Sequence, residues 1–267
     1  MRAYYTYFKL KFITGLQYRS AALAGISTQF FFGFVYIMVF YAFYKSGSGS
    51  LPMEFGQLVT YLWLNQALLA LINQFSKDRE LFDLVKSGNI GYELIRPKNL
   101  YFMWYFKILG QKLSSVLLRF FPLVLVTSLL PKPFNFTLPV SIGAFILFLI
   151  SLTIGSLLVV ALATLYPIIM LYTLNEKGIV NLFIVIADLF SGLVVPIPFF
   201  PKILMYISRL LPFQYISDLS FRIYVGNIGL NDAITGIIVQ FIWVFLIIII
   251  GYMLMNHNLK KVVVQGG

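Results

Sequence analysis

Few groups in this chain could do chemistry, and their spacing narrows the choice further. There is no cysteine, which removes disulfides, thiol nucleophiles and thiolate metal sites. The one histidine, His257, stands near the C-terminus without the neighbours that metal and catalytic sites gather, and reads as a surface residue. Two charges fall inside apolar runs: Asp188 in mid-run, and Arg119 about a third of the way into another. Charges at membrane depth are costly and must face protein or water. Either the two pair with each other, or Asp188 faces a transport path and meets a cationic or polar substrate. The plainer alternative has Arg119 snorkelling to the headgroups and Asp188 serving as a protonated or hydrogen-bonded packing residue. Gln66 and Asn73 stand seven apart, nearly on one helical face, so they either bond a neighbouring helix or line a cavity. Gln66, Asn73 and Asp188 are therefore the candidate pathway-lining residues. A membrane-embedded lipid-modifying enzyme would need a nucleophile, base or metal cluster, and no such constellation is visible, so no catalytic residue or metal ligand is assigned. The chain also lacks a G-x-x-x-x-G-K-[ST] phosphate loop, since Gly47-Ser48-Gly49-Ser50 has no lysine.

The elements that must position these residues are membrane spans. Sixty per cent of the residues are hydrophobic and 11% charged, against about 25% charged in soluble domains. Mean hydropathy is +0.89. Six apolar runs reach the roughly 20 residues that a span requires: Ala21–Tyr44, Phe55–Phe75, Leu113–Leu130, Val140–Met170, Ile179–Val195 and Ala233–Met255. They are continuous rather than alternating, which argues against a β-barrel. The expected fold is an all-α membrane protein with six transmembrane helices in residues 21–256. Residues 1–20 form an amphipathic interfacial helix, with Tyr4, Phe8, Phe12 and Leu16 every fourth residue among basic groups. Residues 257–267 form a cytoplasmic tail. The small residues Ala21-Ala22-Leu23-Ala24 precede the first run, where a cleavage site should follow it, so a cleaved signal peptide is not expected. The net charge of +11 sits in loops and orients the protein; it does not point to nucleic acid. With the N-terminus inside, fourteen of the 20 basic residues fall on the cytoplasmic side and five outside, which places both termini in the cytoplasm.

Two segments break the pattern of simple helix hairpins. In the cytoplasmic segment 77–112, Asp78 is a plausible N-cap and Gly88 a plausible helix stop. Leu81, Leu84 and Val85 share one face of the short amphipathic helix between them, with charges around it. Such a helix fills a partner's groove or rests on the membrane surface. The outer segment 196–226 follows the fifth run, and the prolines Pro196, Pro198 and Pro201 stop any helix there. The pieces that follow, Lys202–Leu211 and Tyr215–Tyr224, remain apolar enough to dip back into the membrane, where broken backbone must be buried in protein or line water.

The run Gly192…Pro196…Pro198…Leu211-Pro212-Phe213 resembles the signature of type-2 ABC exporter permeases (ABC-2 type). The six-span plan with an N-terminal interfacial helix is similar too. The stretch Ser87-Gly88-Asn89-Ile90…Leu94-Ile95-Arg96-Pro97 resembles a subgroup of small bacterial ABC-2 permeases. The resemblance covers nearly the whole chain. It implies a plasma-membrane permease that pairs with a second permease chain, the same or homologous, and carries two ATP-binding cassette ATPase subunits on its cytoplasmic face. It implies that Asp78, Arg79, Leu81, Phe82, Leu84, Val85, Gly88 and Tyr92 belong to an ATPase-coupling element. It further implies that Gly192, Pro196, Pro198, Pro212 and Phe213 belong to a re-entrant outer gate. No cofactor is expected in this chain, with ATP and magnesium held by the partner ATPase. The competing readings are a channel or ion-coupled secondary transporter with Asp188 as its ion site, and the lipid-modifying enzyme.

Overall fold

The computed structural model describes residues 2–47, 51–74, 78–94, 98–173 and 178–260. The expectations placed on Phe75, Lys77, Ile95-Arg96-Pro97, Lys177 and the end of the tail lie outside the described residues, as does the side chain of Tyr92. All regular structure among the described residues is helical. In chain order it comprises α1 (Arg2–Leu16), α2 (Arg19–Lys45), α3 (Phe55–Ala67), α4 (Leu69–Ile72), α5 (Arg79–Lys86), α6 (Gly91–Leu94), α7 (Leu100–Ser128), α8 (Ile142–Thr173) and α9 (Ile179–Phe190). Then follow a 3-10 turn (Ile197–Phe199), α10 (Lys202–Leu210), a second 3-10 turn (Phe213–Tyr215), α11 (Asp218–Tyr224) and α12 (Leu230–Leu259).

Four of these helices, α2, α7, α8 and α12, are long and apolar enough to cross a membrane. Their outward faces explain why water cannot be their solvent. Phe31, Phe32 and Phe43 of α2 and Phe241, Ile242 and Phe245 of α12 are all about half exposed or more. Leaving such side chains in water forfeits roughly 1.5–3 kcal/mol each, whereas hydrocarbon removes that cost. The inward faces form one core, with Trp63, Tyr61, Trp104, Tyr101 and Phe221 among its largest fully buried members.

Two of the six apolar runs do not become single long helices. The run Phe55–Phe75 breaks at Leu68 into α3 and α4 and ends at Asn73. The run Ile179–Val195 yields only α9, twelve residues, which stops at Ser191. A third boundary also moves. Residues 100–112, which the sequence places in the segment 77–112, are helical and continuous with the third apolar run in α7. Asn99 caps this helix, its Oδ1 accepting from Phe102 N at 3.3 Å, so the helix starts thirteen residues before the apolar run. At 29 residues α7 is about 43 Å long, well beyond a hydrocarbon core of about 30 Å.

The surplus length of α7 gives α1 its seat. Tyr4 stacks on Phe106, its hydroxyl accepts from Asn99 N at 3.1 Å, and Phe8 lies over Gly110. A Cβ at Gly110 would meet the Phe8 carbonyl at 2.7 Å, so only glycine lets the two backbones approach this closely. The four-residue aromatic spacing of α1 thus packs on protein, while Tyr5, Leu10 and Ile13 stay exposed on its other side.

Candidate functional site

Charge gathers around α5, beside the N-terminal half of α7. Asp78 caps this helix through its Oδ1, which accepts from Leu81 N at 3.1 Å, and the helix ends at Ser87 and Gly88, as the sequence places it. Leu81, Phe82 and Val85 are buried and Leu84 is half-buried, with α5 packed against α8. The expectation that this apolar face fills a partner's groove is therefore corrected: the face is already spent inside the chain. The face left open carries Arg79, Glu80, Asp83, Lys86 and Ser87.

A lysine from α7 holds this helix in place. Lys107, fully buried, contacts the Asp78 carboxylate at 3.0 Å and Glu80 Oε2 at 2.9 Å. Lys11 of α1 reaches the same Glu80 oxygen at 2.8 Å. Burial alone would push the Glu80 carboxyl up, but its bonds to Lys11 and Lys107 outweigh that and hold it below its ordinary value. Three elements, α1, α5 and α7, thus converge on one carboxylate. Above them a cavity of about 390 Å³ is lined by Asp78, Arg79, Glu80, Gln111, Lys112 and Tyr166, among others.

The end of α4, where the second apolar run stops being helical, meets two charged residues. Lys112 Nζ donates to the carbonyls of Leu71 and Asn73, each at 2.9 Å. Asp188 Oδ1 accepts from Gln74 N at 3.2 Å, just beyond the Asn73 carbonyl that Lys112 holds. Helix ends leave backbone groups without intrahelical partners, and such groups cannot stay unpaired where water is absent. Lys112 and Asp188 supply the missing partners. The pairing of Asp188 with Arg119 weighed above does not occur. The Arg119 guanidinium instead packs against Gly25 of α2. Gln66 is buried with its Oε1 lacking a partner, and Asn73 meets Lys112 through its carbonyl.

A second polar cluster lies at the other end, around a residue that the sequence reading passed over. Asp218 opens α11 and is 1% exposed. Its Oδ1 accepts from the Tyr61 hydroxyl at 2.8 Å and from Ile197 N at 3.3 Å, and Arg222 lies 3.7 Å from its Oδ2. Asn65 Nδ2 donates to the carbonyls of Gly192 and Leu193, and Ser217 Oγ donates to Ser191 O at 3.0 Å. Gly192 sits at φ +80°, and a Cβ there would meet the Tyr61 hydroxyl and press on Asp218. The irregular backbone after α9 is thereby fastened to α3 and α11 by side chains. Pro196 leads the first 3-10 turn and Pro198 lies within it, while Pro212 leads the second, whose Phe213 is buried. One signal of Asp218 was available in the sequence: an acid in an apolar stretch, four residues before an arginine, a spacing that brings the two together on a helix.

Gln240 of α12 adds a third tie, its Nε2 donating to Ser151 O at 2.9 Å and Tyr215 O at 2.7 Å. Among the described residues there is no group of three or more His, Cys, Asp or Glu able to hold a metal ion. Comparison of the chain with family models, curated proteins and solved structures yields no match.

Proposed function

We propose that this chain is the membrane-spanning permease subunit of an ATP-driven exporter of the ABC-2 type, working with a second permease chain and two ATPase subunits. The observation that carries the reading is the state of α5. A helix resting on the bilayer would immerse its apolar face in lipid. Here that face is buried against α8, and the open face is charged. Such a surface suits a water-soluble protein partner. The Lys107 contacts to Asp78 and Glu80 tie that surface to α7, a helix long enough to carry a displacement into the spans.

In this reading six segments cross: α2, the α3–α4 pair, α7, α8, α9 and α12. Both termini are cytoplasmic, and the segment from Pro196 to Gly226 re-enters from outside. The outer cluster around Asp218 supports that last element, because broken backbone at membrane depth requires side-chain partners. Substrate would move outward with energy from ATP and magnesium bound by the partner subunits. The test is reconstitution into vesicles with and without a co-purified ATPase. Transport that needs both the ATPase and ATP supports the reading. Transport driven by an ion gradient with this chain alone would replace it with the ion-coupled alternative, for which Asp188 beside Lys112 is the candidate ion site.

A further inference from the structure

A cavity of about 750 Å³ runs along the side of the molecule, between α3–α4, α7 and α8. Its floor is made by buried residues, among them Leu64, Leu68, Val116 and Phe148. Its open edge is formed by Phe121, 64% exposed, and Leu149, 45% exposed. The hydroxyls in its wall are already committed. Thr153 donates to Leu149 O at 2.8 Å, Ser156 to Thr153 O at 2.7 Å, and Tyr224 to Thr137 O at 3.1 Å. A water needs two to four polar partners, and the lining is almost wholly hydrocarbon with its hydroxyl protons already donated, so the groove suits an apolar occupant.

The dimensions narrow the choice. The α7 wall runs from Leu113 to Val124 and the α8 wall from Phe145 to Ser156. Each is eleven residue steps, about 16 Å. Half of a hydrocarbon core is about 15 Å. One end lies at the α7–α8 connection, where Phe136, Leu138 and Pro139 line it, and the other reaches Leu113 and Ser156, about halfway along α7 and α8. The groove therefore covers one leaflet, and it is the leaflet on the side of that connection. We infer that it is a binding site for an acyl chain of a phospholipid of that leaflet, the outer one in the topology proposed above. The inference depends on membrane residence and not on the transport reading, and its test needs no ATPase.

The test uses the full chain in phospholipid vesicles doped with a phospholipid bearing a diazirine near the end of one acyl chain. After illumination, cross-linked peptides are mapped by mass spectrometry. Labelling should concentrate on residues 113–124 and 145–156. Thr153→Trp, which fills the groove with a ring, should lower that labelling at least about tenfold, the effect of losing roughly two buried methylenes. Thr153→Val, of nearly the same volume, should keep it. Labelling spread evenly over the exposed faces of α2 and α12, or undiminished in Thr153→Trp, would overturn the inference. So would loss of labelling in Thr153→Val equal to that in Thr153→Trp. Because the chain has no cysteine, Leu117→Cys gives a single thiol at the groove edge. A disulfide joining two copies there would show that a second chain covers the groove, and would also overturn it.

Discussion

Single side chains fasten the irregular parts of this molecule, and their removal should be felt. Lys107 is fully buried against Asp78, whose side chain is 7% exposed. Breaking a buried ion pair from one side leaves the other charge uncompensated, at about 3–5 kcal/mol. Lys107→Met should lower stability by about that amount in detergent unfolding, while Lys107→Arg should cost less. Asp218→Ala strands the Ile197 N–H in a buried site, at about 1–3 kcal/mol for a group left unpaired, and leaves the Tyr61 hydroxyl only its longer bond to Gly192 O at 3.3 Å. Asp218→Asn keeps an acceptor oxygen and should lose markedly less; equal melting losses for the two variants would show that the hydrogen bonds are not what matters. Glu80 sets an acid response. Its folded value lies below the ordinary one, so its contribution is complete above the unfolded glutamate range and is lost as pH falls through the lower folded value. Amide-exchange protection in α1 and α5, corrected for the intrinsic rate at each pH, should therefore fall in acid below the ordinary glutamate range, and Glu80→Gln should already show the lower protection at neutral pH.

At the scale of elements, α1 and α5 are appendages to the N-terminal part of α7. Gly110→Leu should lift α1 off by forcing a side chain into the Phe8 backbone. Protease accessibility of residues 2–16 would report the detachment, while the spans should stay folded because α1 has no buried residue of its own. The charges Lys112 and Asp188 act at this scale too, since they supply partners to the broken end of α4. Lys112→Met should fray residues 69–74 in exchange measurements. If Asp188→Asn leaves both assembly and transport unchanged, a path role for that carboxyl is gone and the capping role stands.

For the molecule as a whole, the topology is the prediction with the widest reach. Single cysteines placed one at a time at Ser46, Asn89, Asn135 and Asn227 should divide cleanly in their reaction with an impermeant maleimide applied to intact cells. Only Asn89→Cys should be protected, since in the six-span plan the other three face outward. Reaction of Asn89→Cys from outside would invert the plan and remove the cytoplasmic role of α5.

Composition and the continuous apolar runs determined the all-helical, lipid-facing character of the chain, because hydrophobicity summed over about 20 residues needs no tertiary context. The N-cap at Asp78 and the stop at Gly88 were equally legible, being local chemistry. What only the tertiary structure decided is where polar groups find partners. Lys107 and Lys112 read as loop charges until the early start of α7 carried them inside. Leu81, Leu84 and Val85 read as a stripe facing a partner or the membrane surface until packing against α8 buried Leu81 and Val85 and half-buried Leu84. The spacing of Asp218 and Arg222 was legible, but not the partners that bury Asp218, because Tyr61 and Ile197 lie far from it along the chain. Periodicity fixes which residues share a face, but a buried charge is made tolerable by whatever the fold sets against it.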